Sequence, residues 1–549
     1  MNISRRSFCS VAMTGMAPTL LSSCSQKDPM WVSNEMLLDA ENQTENWLHH
    51  AHDYASTRYS TLDQINQNNV KNLVPDWTFR YHQEAVKGKQ ECSSIVVNGV
   101  IYLTGAANRI YAIDGRTGEE IWRRVEFLPP DSSGCCGPMN RGPAYFEDKV
   151  YWTTFDNRLF CLDSMTGNTV WWKKITPHSG GSSSTGSPII VKGTVEVGIA
   201  GRGDPDSRGF IDAYDCNTGE RIWRHYSVPL PGEPGSETWG GHRPQGGMPW
   251  GQPGSYDPEF NLVYWSVDDP IPGYNGSCRP GDNLYTNCIL ALNPDTGERV
   301  WYFQIVPHAV WDHDTITENV LIDIEIEGRM RKALYHVNRN GFFYVFDRET
   351  GEYILGKQYI TKQTWCDGLD ENGRPRINED AVPKPGMEPV LVYPDIGGGK
   401  NWPASAYSPR TGYAYFYCSE GAGLYGPPQV TYKNGRAIWQ SGWMVAHPPE
   451  TKWSRFIAVD VATGETAWEI IPQTGIGAGV MTTAGGLVFV GDGGGKFLAL
   501  HEETGEVLWS FNTGGGIKSP PVTFTIDGKQ HIGVPSGNNS FNCFSLFEG

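Results

Sequence analysis

One phrase returns along the chain: an apolar run, then Asp-x-x-Thr-Gly, then a tryptophan four residues after the glycine. It reads Asp114 to Gly118 with Trp122, Asp163 to Gly167 with Trp171, and Asp215 to Gly219 with Trp223. It continues as Asn293 to Gly297 with Trp301, Asp460 to Gly464 with Trp468, and His501 to Gly505 with Trp509. Two weaker copies fill the middle, Asp347 to Gly351 followed by Leu355, and Ser408 to Gly412. Asp and Thr cap a tight turn, Gly takes the position with positive φ, and strands flank it, so each phrase reads as the turn of a hairpin. A tryptophan at a fixed offset then packs between neighbouring units, burying apolar area that no unit could bury alone.

Most copies lie about 40 to 60 residues apart, the period of a propeller blade. The eight copies predict an all-β fold, an eight-bladed β-propeller with tryptophan-docking repeats, over residues 47–549, after a linker over 25–46. Closing such a ring usually needs the two chain ends to share a blade, which pairs the segment near Trp77 with the final strands near Val522 and Ile532. Composition agrees: Gly 65, Pro 37 and 12% aromatic residues suit many short strands and tight turns. A net charge of -17 argues against nucleic acid or an anionic membrane surface, which need clustered Lys and Arg. It suits a body that meets a basic protein partner. No apolar run reaches the roughly eighteen residues of a transmembrane helix.

Residues 1–24 read as an address, to be set aside before fold reasoning. Ser4-Arg5-Arg6-Ser7-Phe8 looks like a twin-arginine export signal, and Leu21-Ser22-Ser23-Cys24 resembles a lipoprotein cleavage box. Cleavage there leaves Cys24 as a lipidated N-terminus and a membrane anchor; in an ordinary cleaved signal Cys24 is incidental. Both readings place the protein in the periplasm, where disulfides are admissible among the ten remaining cysteines.

The densest chemistry sits in Pro307-His308-Ala309-Val310-Trp311-Asp312-His313-Asp314-Thr315. In an extended segment Asp312 and Asp314 point to the same side. Two carboxylates sharing a site do not both ionise cheaply unless something positive sits between them, and a hard cation would do so. The plain alternative is a polar turn at a strand end.

The tryptophan-docked repeats, with the run Asp53-Tyr54-Ala55-Ser56-Thr57-Arg58-Tyr59-Ser60, resemble the pyrroloquinoline quinone (PQQ) dependent alcohol dehydrogenases from about Trp47 to the C-terminus. The resemblance implies that adjacent Cys135 and Cys136 form a disulfide lying flat against PQQ, with Trp250 as the opposite wall. Arg141, Thr185 and Asn401 match positions that donate to the cofactor's carboxylates and quinone, Glu91 matches a carboxylate at its edge, and Arg339 matches the positively charged residue placed over the reactive quinone oxygens. The implied metal ligands are Asp204, Asp269 (or its neighbour Asp268) and Asp312, which is also the catalytic base. Asp314 is an added carboxylate, and Trp-Asp-x-Asp resembles the lanthanide-dependent branch, so a lanthanide(III) or calcium ion is expected. Two departures stand out. Gly477-Ala478-Gly479-Val480-Met481 lacks a tryptophan under the cofactor, and Pro272-Gly273-Tyr274-Asn275 lacks one at the substrate mouth, which implies a roomier pocket.

The implied reaction is oxidation of a primary alcohol, or an aldehyde, by hydride transfer to PQQ with the cation as Lewis acid. No Cys-x-x-Cys-His occurs, so electrons are expected to leave to an external acceptor such as a c-type cytochrome. A non-catalytic rival shares the repeat: propeller lipoproteins that scaffold outer-membrane assembly. Such a scaffold has no use for paired cysteines, Arg339 and four convergent aspartates.

Overall fold

The computed structural model describes residues 30–81, 90–132, 134, 137–178, 181–201, 208–427, 432–433, 436–437, 444–472, 474–475 and 477–547. The export signal with Arg5, Arg6 and Cys24, the Cys135–Cys136 pair and Asp204 lie outside the described residues. Among those described, seven sheets have four strands and one has five, and short two- and three-stranded ribbons decorate them. The only α-helix described is Asn34–Leu38.

Each large sheet is built on four antiparallel strands, to which the five-stranded sheet adds Tyr59–Ser60 in parallel; one such sheet is Ile95–Val97, Val100–Gly105, Arg109–Asp114 and Glu120–Val125. Its first three strands are almost wholly buried, while the fourth alternates exposed residues with the inward Trp122. A strand covered on both faces reads as a continuous apolar run and one with a wet face alternates, which is the pattern found here.

The tryptophans dock as the repeat predicts. The Trp122 indole donates to Ser164 O at 2.8 Å, Trp171 to Cys216 O at 3.0 Å, Trp223 to Pro294 O at 2.8 Å and Trp468 to Glu502 O at 2.9 Å. Each acceptor is the second residue of the next sheet's turn. The turn glycine makes room for the ring: Gly167 has φ +70°, and a Cβ there would lie 2.7 Å from Trp122. In the degenerate repeat, Lys357 and Leu355 take the indole's place over Gly464.

One copy is misplaced by the sequence reading. Ser408 to Gly412 links the first and second strands, Ala406–Ser408 and Tyr413–Glu420, of the sheet whose third-to-fourth turn is Asp460 to Gly464. Nothing docks on Gly412. The last sheet needs no such turn, because its fourth strand comes from the other end of the chain. Leu73–Arg80 pairs with Ser540–Leu546 beside Lys529–Ser536 and Val522–Ile526, as expected from closure. Trp509 donates to Leu73 O at 3.0 Å, and Trp77 to Gly115 O at 3.1 Å. Of the segment 25–46 expected as a linker, the described part is folded onto the body, with Val32 paired to Glu147 and Leu37 buried. No helix among the described residues is long and apolar enough to cross a membrane.

The docking arrangement separates two glycines. Gly167→Ala meets both the strain of a left-handed residue, about 1–2 kcal/mol, and the Trp122 ring. Gly412→Ala meets the strain alone. Urea denaturation is expected to show a clearly larger loss for Gly167→Ala, while Trp122→Ala loses about 3–5 kcal/mol as a large core truncation.

Candidate active site

Antiparallel meanders send two connections to one end: the segment preceding the first strand, and the link from the second strand to the third. The docking turns lie at the other end. Glu91, Arg141, Thr185, Trp250, Asp312, Asp314 and Asn401 all precede first strands, whereas Asp269 and Arg339 lie in second-to-third links. Topology therefore gathers them on one face.

Asp269, Asp312 and Asp314 are all buried, and a carboxylate oxygen from each lies within 4.8 Å of the others. Their segment is not a strand: Asp312 has φ +64°, a left-handed conformation that Asp tolerates better than most residues. Alternation nonetheless survives. Trp311 donates from its indole to Ala381 O at 2.8 Å, and His313 faces Pro394 O at 3.2 Å, both packing on Trp365 away from the carboxylates. Burial pushes the His313 imidazole down to about 4, so it adds no charge to the site. Arg339 supplies the countercharge, with Nη1 3.1 Å from Asp314 Oδ2 and 3.8 Å from Asp312 Oδ1. It also donates to Asp312 O at 3.0 Å and to Asn401 Oδ1 at 3.1 Å. The choice between the adjacent aspartates is decided by their partners. Asp268 accepts the Met248 amide at 2.5 Å, whereas Asp269 turns into the cluster and accepts the Asn287 amide at 2.5 Å.

Beside the carboxylates lies a cationic and aromatic wall. Arg141 donates to Glu91 at 2.9 Å, Thr185 Oγ1 at 3.1 Å and Trp250 O at 3.1 Å. Its guanidinium carbon stands 5.2 Å from the Trp250 ring centroid and 5.0 Å from that of Trp402, and Arg339 is 5.6 Å from Trp250. Indole Nε1 of Trp250 and Nε of Arg141 are buried with no hydrogen-bond partner among the described residues.

The family described as glucose/ethanol/alcohol dehydrogenase, beta-propeller domain, matches residues 47–363. The quinoprotein alcohol dehydrogenase PedH of Pseudomonas putida is 36% identical over 529 residues, covering 92% of this chain and 88% of its own. The quinoprotein ethanol dehydrogenase of Pseudomonas aeruginosa is 34% identical, covering 93% and 88%. This chain belongs to the PQQ-dependent alcohol dehydrogenases. The dehydrogenase is an all-β propeller like its solved relatives. A europium-containing methanol dehydrogenase superposes with a TM-score of 0.84 at 30% identity, covering 93% of this chain and all of its own. The quinohemoprotein alcohol dehydrogenase of Comamonas testosteroni superposes with a TM-score of 0.85 at 32% identity, covering 94% and 82%. The outer membrane protein assembly factor BamB family matches only residues 454–539, a stretch that carries the tryptophan turns of two sheets.

The residues of this quinoprotein dehydrogenase fit the groups its family uses. Three buried carboxylates, with Arg339 in ion-pair contact and the buried Arg279 acting on Asp269 without one, keep a negative excess that a cation relieves. A flat polyanion finds guanidinium donors, Thr185, Asn401 and an unpaired indole N–H around one aromatic face. Sequence reasoning missed three contributors. Trp402 backs Arg141, and Asn287 ties Asp269 to the Asp312–Asp314 segment by accepting the Thr315 amide at 2.9 Å. Tyr274, expected as an opening at the mouth, instead donates its hydroxyl to Asp312 Oδ2 at 3.2 Å. Trp402 follows Asn401 directly and Tyr274 lies in a segment already singled out, but nothing marks Asn287. The eight described cysteines form no disulfide.

Proposed function

We propose that this dehydrogenase oxidises a primary alcohol, or a related aldehyde, at a PQQ site that holds a lanthanide(III) ion in preference to calcium. The convergence of Asp269, Asp312 and Asp314 beside Arg339 carries the reading. When bound, PQQ supplies the two-electron acceptor and the cation a Lewis acid. Asp312 takes the substrate hydroxyl proton, its Oδ2 oriented by the Tyr274 hydroxyl. Arg339 is fixed by Asp314 and Asn401 so that its charge stabilises negative charge growing over the catalytic carboxylates' side of the pocket. Glu91, Arg141, Thr185 and Asn401 would hold the cofactor's rim and Trp250 one of its faces; the Cys135–Cys136 pair, which lies outside the described residues, would supply the other. Asp204, outside the described residues, would add a fourth carboxylate to the metal site. A europium-containing relative over nearly the whole chain supports the lanthanide reading, as does the extra carboxylate.

In this reading the eight large sheets are the eight blades of a closed ring. The twin-arginine signal delivers the enzyme to the periplasm, with Cys24 lipidated, and a c-type cytochrome or similar carrier accepts the electrons. Reconstitution tests the function: the protein binds one PQQ, seen as visible quinone absorption, and then reduces a redox dye on addition of a primary alcohol. The scaffold reading predicts neither. Fatty-acid labelling that is lost in Cys24→Ala tests the anchor.

A further inference from the structure

Away from the active site, Asp76, His531 and Cys543 bring a carboxylate, an imidazole and a thiol within 4.8 Å of one another. They come from three neighbouring strands of the sheet that joins the two chain ends, Leu73–Arg80, Ser540–Leu546 and Lys529–Ser536. Cys543 is fully buried and His531 nearly so, while Asp76 sits at the exposed edge, in a bulge between Pro75 and Trp77. A bulge re-aims a side chain that regular pairing would turn away.

Both partners face the same ring nitrogen. His531 Nδ1 lies 3.2 Å from Asp76 Oδ2 and 3.8 Å from Cys543 Sγ. A nucleophilic Cys-His-Asp relay needs the thiol and the carboxylate on opposite ring nitrogens, so this trio is not one. Three donor atoms converging on one point is the geometry of ligands. A tetrahedral zinc ion, with bonds of about 2.3 Å to sulfur and about 2.0 Å to nitrogen and oxygen, sets nitrogen and oxygen about 3.3 Å apart and sulfur and nitrogen about 3.6 Å apart. The observed spacings are close to both. Ser545 Oγ donates to Asp76 Oδ1 at 2.7 Å, leaving Oδ2 turned to the imidazole, the outer hydrogen bond that commonly fixes a ligating carboxylate. A thiolate and a carboxylate together cancel a divalent charge, which a buried position requires.

We infer that Asp76, His531 and Cys543 form a second metal site, for zinc or a similar divalent transition ion, that clamps the N-terminal strand to the C-terminal strands. The mixed sulfur, nitrogen and oxygen set separates it from the all-oxygen catalytic cluster, since hard ions take oxygen ligands and zinc takes thiolate and imidazole. Binding releases the Cys543 thiol proton to solvent, and water at the exposed side completes the tetrahedron.

Cobalt(II) tests this on the full chain carrying PQQ and its catalytic metal. One equivalent should give a thiolate-to-cobalt charge-transfer band that zinc displaces, and zinc should raise the melting temperature of the wild type. Cys543→Ser should abolish the band. His531→Gln and Asp76→Asn should each weaken zinc binding by more than about 100-fold, beyond the 10- to 100-fold typical of losing an outer partner. Alcohol oxidation should be retained in all three. The two latter variants keep the test decisive if Cys543→Ser fails to fold. Absence of the band in the wild type, or a band unchanged in His531→Gln and Asp76→Asn, would overturn the inference and leave a hydrogen-bonded core trio only.

Discussion

Asp314→Ala is expected to abolish lanthanide-supported alcohol oxidation while leaving the fold intact and weak calcium-supported turnover in place. Asp314 is fully buried and contributes one of three carboxylates whose oxygens lie within 4.8 Å of one another. At ligand distance a full charge interacts with the cation by several kcal/mol even at an effective dielectric near ~20, and each ~1.4 kcal/mol is tenfold in affinity. Lanthanide affinity should therefore fall by at least about a thousandfold, read directly as lost sensitised luminescence of bound europium or terbium. Removing Asp314 also takes away the shorter of Arg339's two ion pairs, leaving the Asp312 carboxylate 3.8 Å away and the hydrogen bond to Asn401. Asp314→Asn keeps the volume and should lose nearly as much, because charge and not shape is what the ion needs. Retention of full lanthanide binding in either variant would place Asp314 outside the coordination sphere.

Asp312→Asn should act differently. The amide still occupies the site and can accept from Tyr274, and the Asp312 carbonyl still receives Arg339. What is lost is the base, together with one of the cluster's three charges, so the lanthanide is held at saturation in the assay. Turnover should fall by about 100- to 10,000-fold, the range for a general base, with PQQ still bound in a one-to-one ratio. A variant that keeps its activity would move the proton acceptor elsewhere.

The convergence of these two aspartates was legible in the sequence because they stand two residues apart in one motif. So was the repeat, since its turn is built from contacts within five residues and its tryptophan sits at a fixed offset. The misplaced copy at Ser408 to Gly412 shows the limit. A tight turn with a glycine looks alike whether it joins first and second strands or third and fourth, and only the neighbour docking on Gly464 and not on Gly412 separates them. Asp268 and Asp269 could not be told apart for a similar reason: the Met248 amide that captures Asp268 lies twenty residues away in sequence. Asn287 and Trp402 act across links between sheets, where no local spacing records the contact. Tyr274 was noticed as a substitution, yet its hydroxyl's reach to Asp312 depends on how two loops approach.

The most direct test of the central claim is metal-dependent reconstitution. Apoprotein with saturating PQQ is titrated with lanthanum or cerium in one series and calcium in another, and dye-linked oxidation of a primary alcohol is followed in both. The proposed site, with Asp269, Asp312 and Asp314 converging beside Arg339, predicts saturation at one lanthanide per chain, with calcium giving little activity and failing to displace the lanthanide. Full activity with calcium alone, with no gain from lanthanum or cerium and no loss in Asp314→Ala, would contradict it.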